Sequence, residues 1–266
     1  MDNRPIGVFD SGVGGLTVLK EMKRILPAEN FIYVGDTARV PYGVKSRSTI
    51  TKFASQIMDF LMEKDVKLIV VACNTVSSNS LSYLKSRYRV PVIGVIEPGV
   101  QLALDRTKNR CVGIIGTQST IRSHKYKELI IRQDRKIRIF EKACPLFVPL
   151  VEELLFDHSI TRLAIKGYLQ EFRARKIDTL VLGCTHYPLL TRALNRFFQG
   201  KVNLISSGYS VSLVVQDILS KKRLFSGRRK KGSIHLYASD LNENFRKLSR
   251  VVLSDSSVKM QLISFD

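Results

Sequence analysis

The chain has 266 residues, 44% of them hydrophobic, with 43 Lys and Arg set against 23 Asp and Glu. That length and composition supply a core for one large or two smaller domains and exclude dependence on disulfide staples. The formal charge of +20 attracts anions from small carboxylates to nucleic acid and by itself selects none of them.

The first residues, MDNRPIGVFD, lack the basic start, apolar stretch and cleavage site of a secretory signal. The apolar run Leu68 to Cys73 is too short to span a bilayer. A soluble, cytoplasmic protein is expected, with Cys73, Cys111, Cys144 and Cys184 as free thiols. No two of them form a CxxC pair, so neither a zinc site nor a thioredoxin-like motif is indicated.

Short apolar runs alternate along the chain with longer amphipathic ones. IGVF is followed by a helix over Leu16 to Ile25, FIYV by a helix over Ile50 to Met62, and KLIVVA by a helical stretch and VIGVI. The rhythm restarts with CVGIIG, a helix over Ser119 to Ile131, IRIF, two helices near 149–156 and 159–175, then DTLVLG and VNLIS. This pattern predicts an α/β fold with mainly parallel sheets in two halves. Further on, Ser226 to Gly232 (SGRRKKG) reads as a basic surface loop before the strand IHLYA.

The halves resemble each other. IGVFDS at 6–11 matches VGIIGT at 112–117, and LIVVACNT at 68–75 matches TLVLGCTH at 179–186, in the same order and at nearly the same spacing. An internal duplication follows. Parallel sheets bind ligands at the carboxyl ends of their strands, so facing halves would set Cys73 and Cys184 across one cleft.

In ACNT at 72–75 a cysteine ends a buried strand, and Asn74 and Thr75 can cap a helix and donate hydrogen bonds to a carboxylate. A helix start there would favour a thiolate. A single buried cysteine is more often a small core residue. GCTHYP at 183–188 repeats the arrangement, placing Thr185 and His186 after Cys184. A histidine there can orient or polarise a proton transfer, although a satisfied loop histidine is the commoner outcome.

DSGVGG at 10–15 follows a strand. Its glycines permit backbone amides to approach an anion, and Asp10 adds a carboxylate at the same rim. Thr17 stands where a dinucleotide fingerprint needs glycine and no GxxxxGK[ST] loop exists, so NAD and ATP are unsupported. GDTARVPYG at 35–43 either offers the amides of Tyr42 and Gly43 to a ligand or is an ordinary connection. CPLFVPLVEE ends in Glu152 and Glu153, ligands for an ammonium group or merely solvated acids. His124, His158 and Cys111 have no partners at meaningful spacing and stay outside the expected site.

Taken together, GVFDSGVGGLTVL, VGDTARVPYG, VACNT, VPVIGVIEPG, GIIGT, ACPLFVPLVEE and LVLGCTHYPLL closely resemble the glutamate racemase family over about residues 5 to 208. The resemblance implies two α/β domains with pseudo-twofold symmetry, residues 1–96 plus 210–266 and residues 97–209, with the active site between them. It implies Cys73 and Cys184 as catalytic thiols, Asp10 assisting Cys73, His186 assisting Cys184, and Glu152 as a further polar assistant. Substrate contacts fall on Asp10, Ser11, Tyr42, Gly43, Asn74, Thr75, Thr185 and His186, with Thr117 and Thr120 as weaker correspondences. Ser206 occupies a place where relatives usually carry aspartate, and VSSNS after CNT is less alanine-rich than usual. Both departures bear on local packing.

Two thiols suit such a reaction. Racemisation removes the α-proton from one face of an amino acid and returns a proton on the other, which two opposed groups accomplish without moving. One starts as thiolate and the other as thiol, accessible from a reference pKa near ~8.5. Charge developing on the α-carbon must be stabilised by preorganised donors, for which Asn74, Thr75, Ser11 and Thr185 are candidates. No metal and no cofactor are expected. The expected substrate is glutamate, interconverted between L and D forms, with D-glutamate passing to peptidoglycan synthesis and the cell wall.

Two other readings stand beside this one. Aspartate racemases share the paired-cysteine logic, although GDTARVPYG and CTHYPLL favour glutamate. The charge also permits a nucleic-acid-binding or regulatory protein on this scaffold, with RRKK at 228–231 in a basic face, but no aromatic-interleaved RNA motif is present. No membrane partner is expected, a homodimer is compatible with the sequence, and nucleic acid is not the expected ligand.

Overall fold

The computed structural model describes residues 1–228, 230–254 and 258–265. Arg229, inside the basic loop 226–232, lies outside the described residues. Ten strands run through them in chain order: β1 (Ile6–Asp10), β2 (Phe31–Gly35), β3 (Leu68–Val71), β4 (Val92–Gly94), β5 (Cys111–Gly116), β6 (Arg138–Ala143), β7 (Thr179–Gly183), β8 (Asn203–Ser206), β9 (Ile234–Ala238) and β10 (Lys259–Leu262). They form two sheets, β10-β9-β2-β1-β3-β4 and β6-β5-β7-β8, and every pairing within them is parallel.

The orders β2-β1-β3-β4 and β6-β5-β7-β8 correspond strand for strand. The matched segments IGVFD and VGIIG are β1 and β5, each central in its sheet, and the cysteine-bearing segments follow β3 and β7. The duplication legible in the sequence is therefore a repeated topology.

Both sheets are covered on both faces, which is why their central strands read as unbroken apolar runs rather than alternating ones. In the first sheet Ile6, Val8 and Tyr33 pack with Leu16, Leu19 and Met22 of the helix Leu16–Ile25, and with Val211 and Val215 of the helix Ser207–Lys221. On its other face Phe9, Val34, Ile69 and Val71 pack with Ile50, Ile57 and Met58 of the helix Arg47–Glu63. The second sheet repeats this, with Ile115, Leu180 and Leu182 against the helix Ser159–Ala174 and Val112, Ile114 and Val181 against the helices Ile96–Arg106 and Lys125–Gln133. After β8 the chain returns to the first sheet, where β9 pairs with β2.

Several elements differ from the sequence expectation. The helix expected over Ser119 to Ile131 is two helices, Gln118–Arg122 and Lys125–Gln133, separated by His124 in the left-handed region at φ 50°. The helix expected near 149–156 is Phe147–Glu152. Pro149 lies within its first turn, where its missing N–H costs nothing, and Leu154 at φ 59° follows its end. Asn74 and Thr75 do not cap the helix Asn74–Asn79. Cys73 is its N-cap residue, and Asn74 and Thr75 form its first turn. VIGVI is strand only to Gly94. The helix Glu243–Leu253 and strand β10 were not expected at all. Ser206 is the N-cap residue of the helix Ser207–Lys221 and makes no side-chain cap.

Among the described residues no helix is long and apolar enough to cross a membrane.

One buried ion pair ties four separate segments together. Lys67, at the entry to β3, donates from Nζ to Glu29 Oε2 at 2.6 Å and to the carbonyls of Asp2 at 2.7 Å and Leu224 at 2.8 Å. Glu29 in turn accepts from the Ser226 amide at 2.8 Å, and both side chains are shielded from solvent. Removing one partner strands the other as a buried charge. Lys67→Met is expected to lower the unfolding free energy by about 3–5 kcal/mol in urea titration. The double variant Lys67→Met, Glu29→Leu is expected to recover a large part of the loss.

Candidate active site

The carboxyl ends of β1, β3 and β7 converge on one cleft between the sheets. A cavity of about 360 Å³ lies there, lined by both Cys73 and Cys184. Each thiol follows the last residues of a buried strand, and each is nearly inaccessible to solvent. Ser11, Tyr42, Gly43, Asn74, Thr75, Thr117, Glu152, Thr185 and His186 line the same cavity. Asp10 and Thr120 sit behind this lining, both buried.

Asp10 ends β1 and is fully buried. Its Oδ2 accepts from the amides of Gly12 at 3.2 Å and Gly15 at 3.0 Å, and Thr185 Oγ1 donates to its Oδ1 at 3.3 Å. The glycine-rich loop therefore cradles an anion, but that anion is the protein's own carboxylate rather than a ligand. Burial raises the Asp10 pKa, and His186 together with these donors opposes the rise.

The loop also needs its glycines for close approach, Gly14 to the other half and Gly15 to Asp10. A Cβ at Gly14 would stand 2.4 Å from both His186 Nδ1 and Thr185 Oγ1, and one at Gly15 would stand 2.4 Å from Asp10 Cβ. Thr17 Oγ1 adds a bond to the Thr185 carbonyl at 2.9 Å. Gly43 plays the same part on the opposite rim, since its Cβ would lie 2.8 Å from Thr117 Cβ.

On the first side, Cys73 Sγ lies 3.6 Å from Ser11 Oγ. Burial, and after it the charge of Asp10, pushes the Cys73 thiol up to about 12, against relief from the Val76 amide and Ser11. Asp10 thus acts on Cys73 through its charge, while its hydrogen bonds go to Gly12, Gly15 and Thr185. On the second side, His186 Nδ1 lies 3.8 Å from Cys184 Sγ, and Nε2 lies 3.2 Å from Glu152 Oε1. Burial disfavours a charge on His186, yet the contacts with Cys184 and Glu152 prevail and raise its pKa to about 10. These contacts favour the protonated ring, which in that form presents one N–H to the sulfur.

The floor joins the halves through hydroxyl groups. Thr75 Oγ1 lies 3.0 Å from Thr117 Oγ1 and 3.3 Å from Thr120 Oγ1, and the latter two are 3.0 Å apart. Tyr42 puts its ring at the cavity, while its hydroxyl bonds Asp36, which also holds Arg39 Nε at 2.7 Å and Ser239 Oγ at 2.8 Å. The Asp36 carboxylate thereby fixes the loop that carries Tyr42 and Gly43.

His124, His158 and Cys111 lie outside the cleft, as expected. His124 pairs with Glu141, His158 caps the helix Ser159–Ala174, and Cys111 is buried at the start of β5. Sequence reasoning missed Gly14 and Thr17 as contacts between the halves, and it missed Tyr126, whose hydroxyl donates to Asn74 Oδ1 at 2.6 Å. That residue carries no motif, and on an amphipathic helix it reads as core.

Comparisons with known proteins assign the chain as a whole to a family. The family described as Asp/Glu/Hydantoin racemase matches residues 6–209, and the chain belongs to it. It is similar to the glutamate racemase of Chlorobaculum tepidum, 44% identical over 97% of this chain and 96% of that protein. It is also similar to the glutamate racemase of Geobacter metallireducens, 46% identical over 91% of this chain and 90% of that one. The crystal structure of glutamate racemase from Francisella tularensis in complex with D-glutamate superposes with a TM-score of 0.93 at 37% identity, covering 100% of this chain and 99% of that one.

The position of the Cys73 thiol sets its reactivity. With a pKa near 12, the thiolate fraction is small at neutral pH and grows as pH rises, so alkylation of Cys73 by iodoacetamide is expected to accelerate across pH 8–11 without a plateau. Asp10→Asn removes a charge that raises this pKa, so more thiolate forms at a given pH and alkylation at pH 8 is expected to quicken. Peptide mass mapping separates Cys73 from the other thiols. A plateau below pH 9 would contradict the assignment.

Proposed function

We propose that this protein is a glutamate racemase that interconverts L- and D-glutamate without a cofactor, using Cys73 and Cys184 as the two bases. The carrying observation is that two thiols, each at the end of a matched strand, line one cavity from opposite halves. Identity of 44–46% to glutamate racemases over most of the chain supports glutamate as the substrate.

In this reading the α-carbon lies between the two sulfurs. One, as thiolate, takes the α-proton, and the other, as thiol, returns a proton to the opposite face. The roles exchange with the handedness of the substrate. Burial, and after it the Asp10 charge, favours the protonated form of Cys73, which suits it to give a proton. The His186 imidazolium, held by Glu152, directs an N–H at Cys184. Ser11, Asn74, Thr75 and Thr185 offer donors for the substrate's carboxylates, with Tyr42, Gly43, Thr117 and Thr120 shaping the rest of the cavity. Such preorganised donors stabilise charge as it develops.

The same proposal divides the chain into residues 1–96 with 210–266, and residues 97–209, in keeping with two separate sheets and their separate cores. It places the enzyme in the cytoplasm, supplying D-glutamate for peptidoglycan.

The test is circular dichroism of L-glutamate incubated with purified protein and no added cofactor, with L-aspartate in parallel. Loss of the glutamate signal, with aspartate unchanged, is the expected result. Cys73→Ser and Cys184→Ser are each expected to reduce racemisation at least about 10³-fold, the scale seen when a member of a catalytic unit is removed. Conversion of aspartate alone, or full turnover by the double variant, would overturn the reading.

A further inference from the structure

Asn74 carries an amide nitrogen with an unusual status. Its Nδ2 is buried and has no hydrogen-bond partner among the described residues, although the residue lines the cavity. Its Oδ1, by contrast, receives Tyr126 Oη at 2.6 Å and Ser207 Oγ at 3.5 Å. An unpartnered buried donor costs about 1–3 kcal/mol and persists where something else satisfies it.

The three residues come from three elements. Asn74 opens the helix that follows Cys73, Tyr126 lies on the helix Lys125–Gln133 of the second sheet, and Ser207 begins the helix after β8. The Tyr126 ring packs in a buried cluster with Val112, Val181 and Ile205, and its hydroxyl donates to Asn74, which lines the cleft. An amide can sit in two orientations related by a half turn. With both hydroxyls donating to Oδ1, the orientation that faces Nδ2 away from them is selected.

We infer that Tyr126, assisted by Ser207, is a positioning residue that locks the Asn74 amide with its N–H facing the cavity, ready to bind a carboxylate of the substrate. This rests on the glutamate reading above. It goes further in assigning to a core tyrosine of the second half the orientation of a donor in the first. Burial also raises the Tyr126 pKa, so the hydroxyl keeps its proton. Without the lock, a free amide turns its oxygen to the substrate carboxylate for part of the time and repels it.

The inference is tested by a double-mutant cycle on glutamate racemisation, with melting temperature measured on every variant. Tyr126→Phe keeps the ring and is expected to cut kcat/KM about tenfold, mainly through a raised KM, the scale of one hydrogen bond. Asn74→Ala is expected to lose more. The double variant is expected to match Asn74→Ala alone, because the hydroxyl acts only through the amide. Asn74→Asp keeps an oxygen for Tyr126 but replaces the donor, and it is expected to lose glutamate binding while melting close to the parent.

A further tenfold loss when Tyr126→Phe is added to Asn74→Ala would overturn the inference, as would an unchanged KM in Tyr126→Phe or in Asn74→Asp. Loss of melting temperature without a change in KM would mark Tyr126 as merely structural. If the parent protein racemises glutamate and the losses are additive, this inference alone fails. If the parent racemises no glutamate, the proposed function fails and this inference with it.

Discussion

The buried carboxylate of Asp10 is the point on which the cleft is assembled. It has no solvent contact, so its charge must be balanced by donors. The backbone supplies two from Gly12 and Gly15, and the second half supplies the third from Thr185. A buried carboxylate with too few donors would be costly, so satisfying Asp10 draws the loop after β1 and the loop after β7 together. The short approaches at Gly14 and the Thr17 bond to the Thr185 carbonyl follow from that junction. Cys73 and Cys184 stand on either side of it. One charged group thus contributes to closing the two halves and to raising the pKa of one of the thiols between them.

The two sides of the cleft solve related problems by different means. On the Cys73 side, desolvation and a nearby negative charge disfavour the thiolate, with Ser11 and the Val76 amide as partial relief. On the Cys184 side, an imidazole backed by a carboxylate lies within reach of the sulfur, and these partners favour its protonated form. The same strand order has therefore been furnished with different side chains. The Thr75, Thr117 and Thr120 hydroxyls complete the floor without adding charge, leaving the electrostatics to Asp10, His186 and Glu152.

Much of this was legible in the sequence, and the reasons are physical. Doubly covered parallel strands must be apolar throughout, so IGVF, LIVV and TLVLG declared themselves, and the repeated order of motifs exposed the duplication. β10 did not, because its residues are largely exposed at the sheet edge and carry no burial pattern. The break at His124 was hidden since a left-handed residue leaves no mark on hydrophobic periodicity. The cysteines and their flanking residues were found by motif. Gly14 was seen as a loop glycine, but its purpose, room for the His186 ring, exists only once the halves meet. Tyr126 and its bond to Asn74 depend on the same meeting, and no local pattern predicts it.

The unequal furnishing of a duplicated scaffold has a thermodynamic corollary. Mirror-image amino acids have identical free energies in water, so a catalyst of their interconversion must have the same kcat/KM in both directions. The symmetric strand framework meets that condition naturally, but Asp10 with Ser11 on one flank and His186 with Glu152 on the other do not treat the two hands alike. Whatever tighter grip this asymmetry gives one enantiomer must return as a proportionally slower turnover of that same enantiomer. The cleft can choose which hand it holds longer, never which hand prevails at equilibrium.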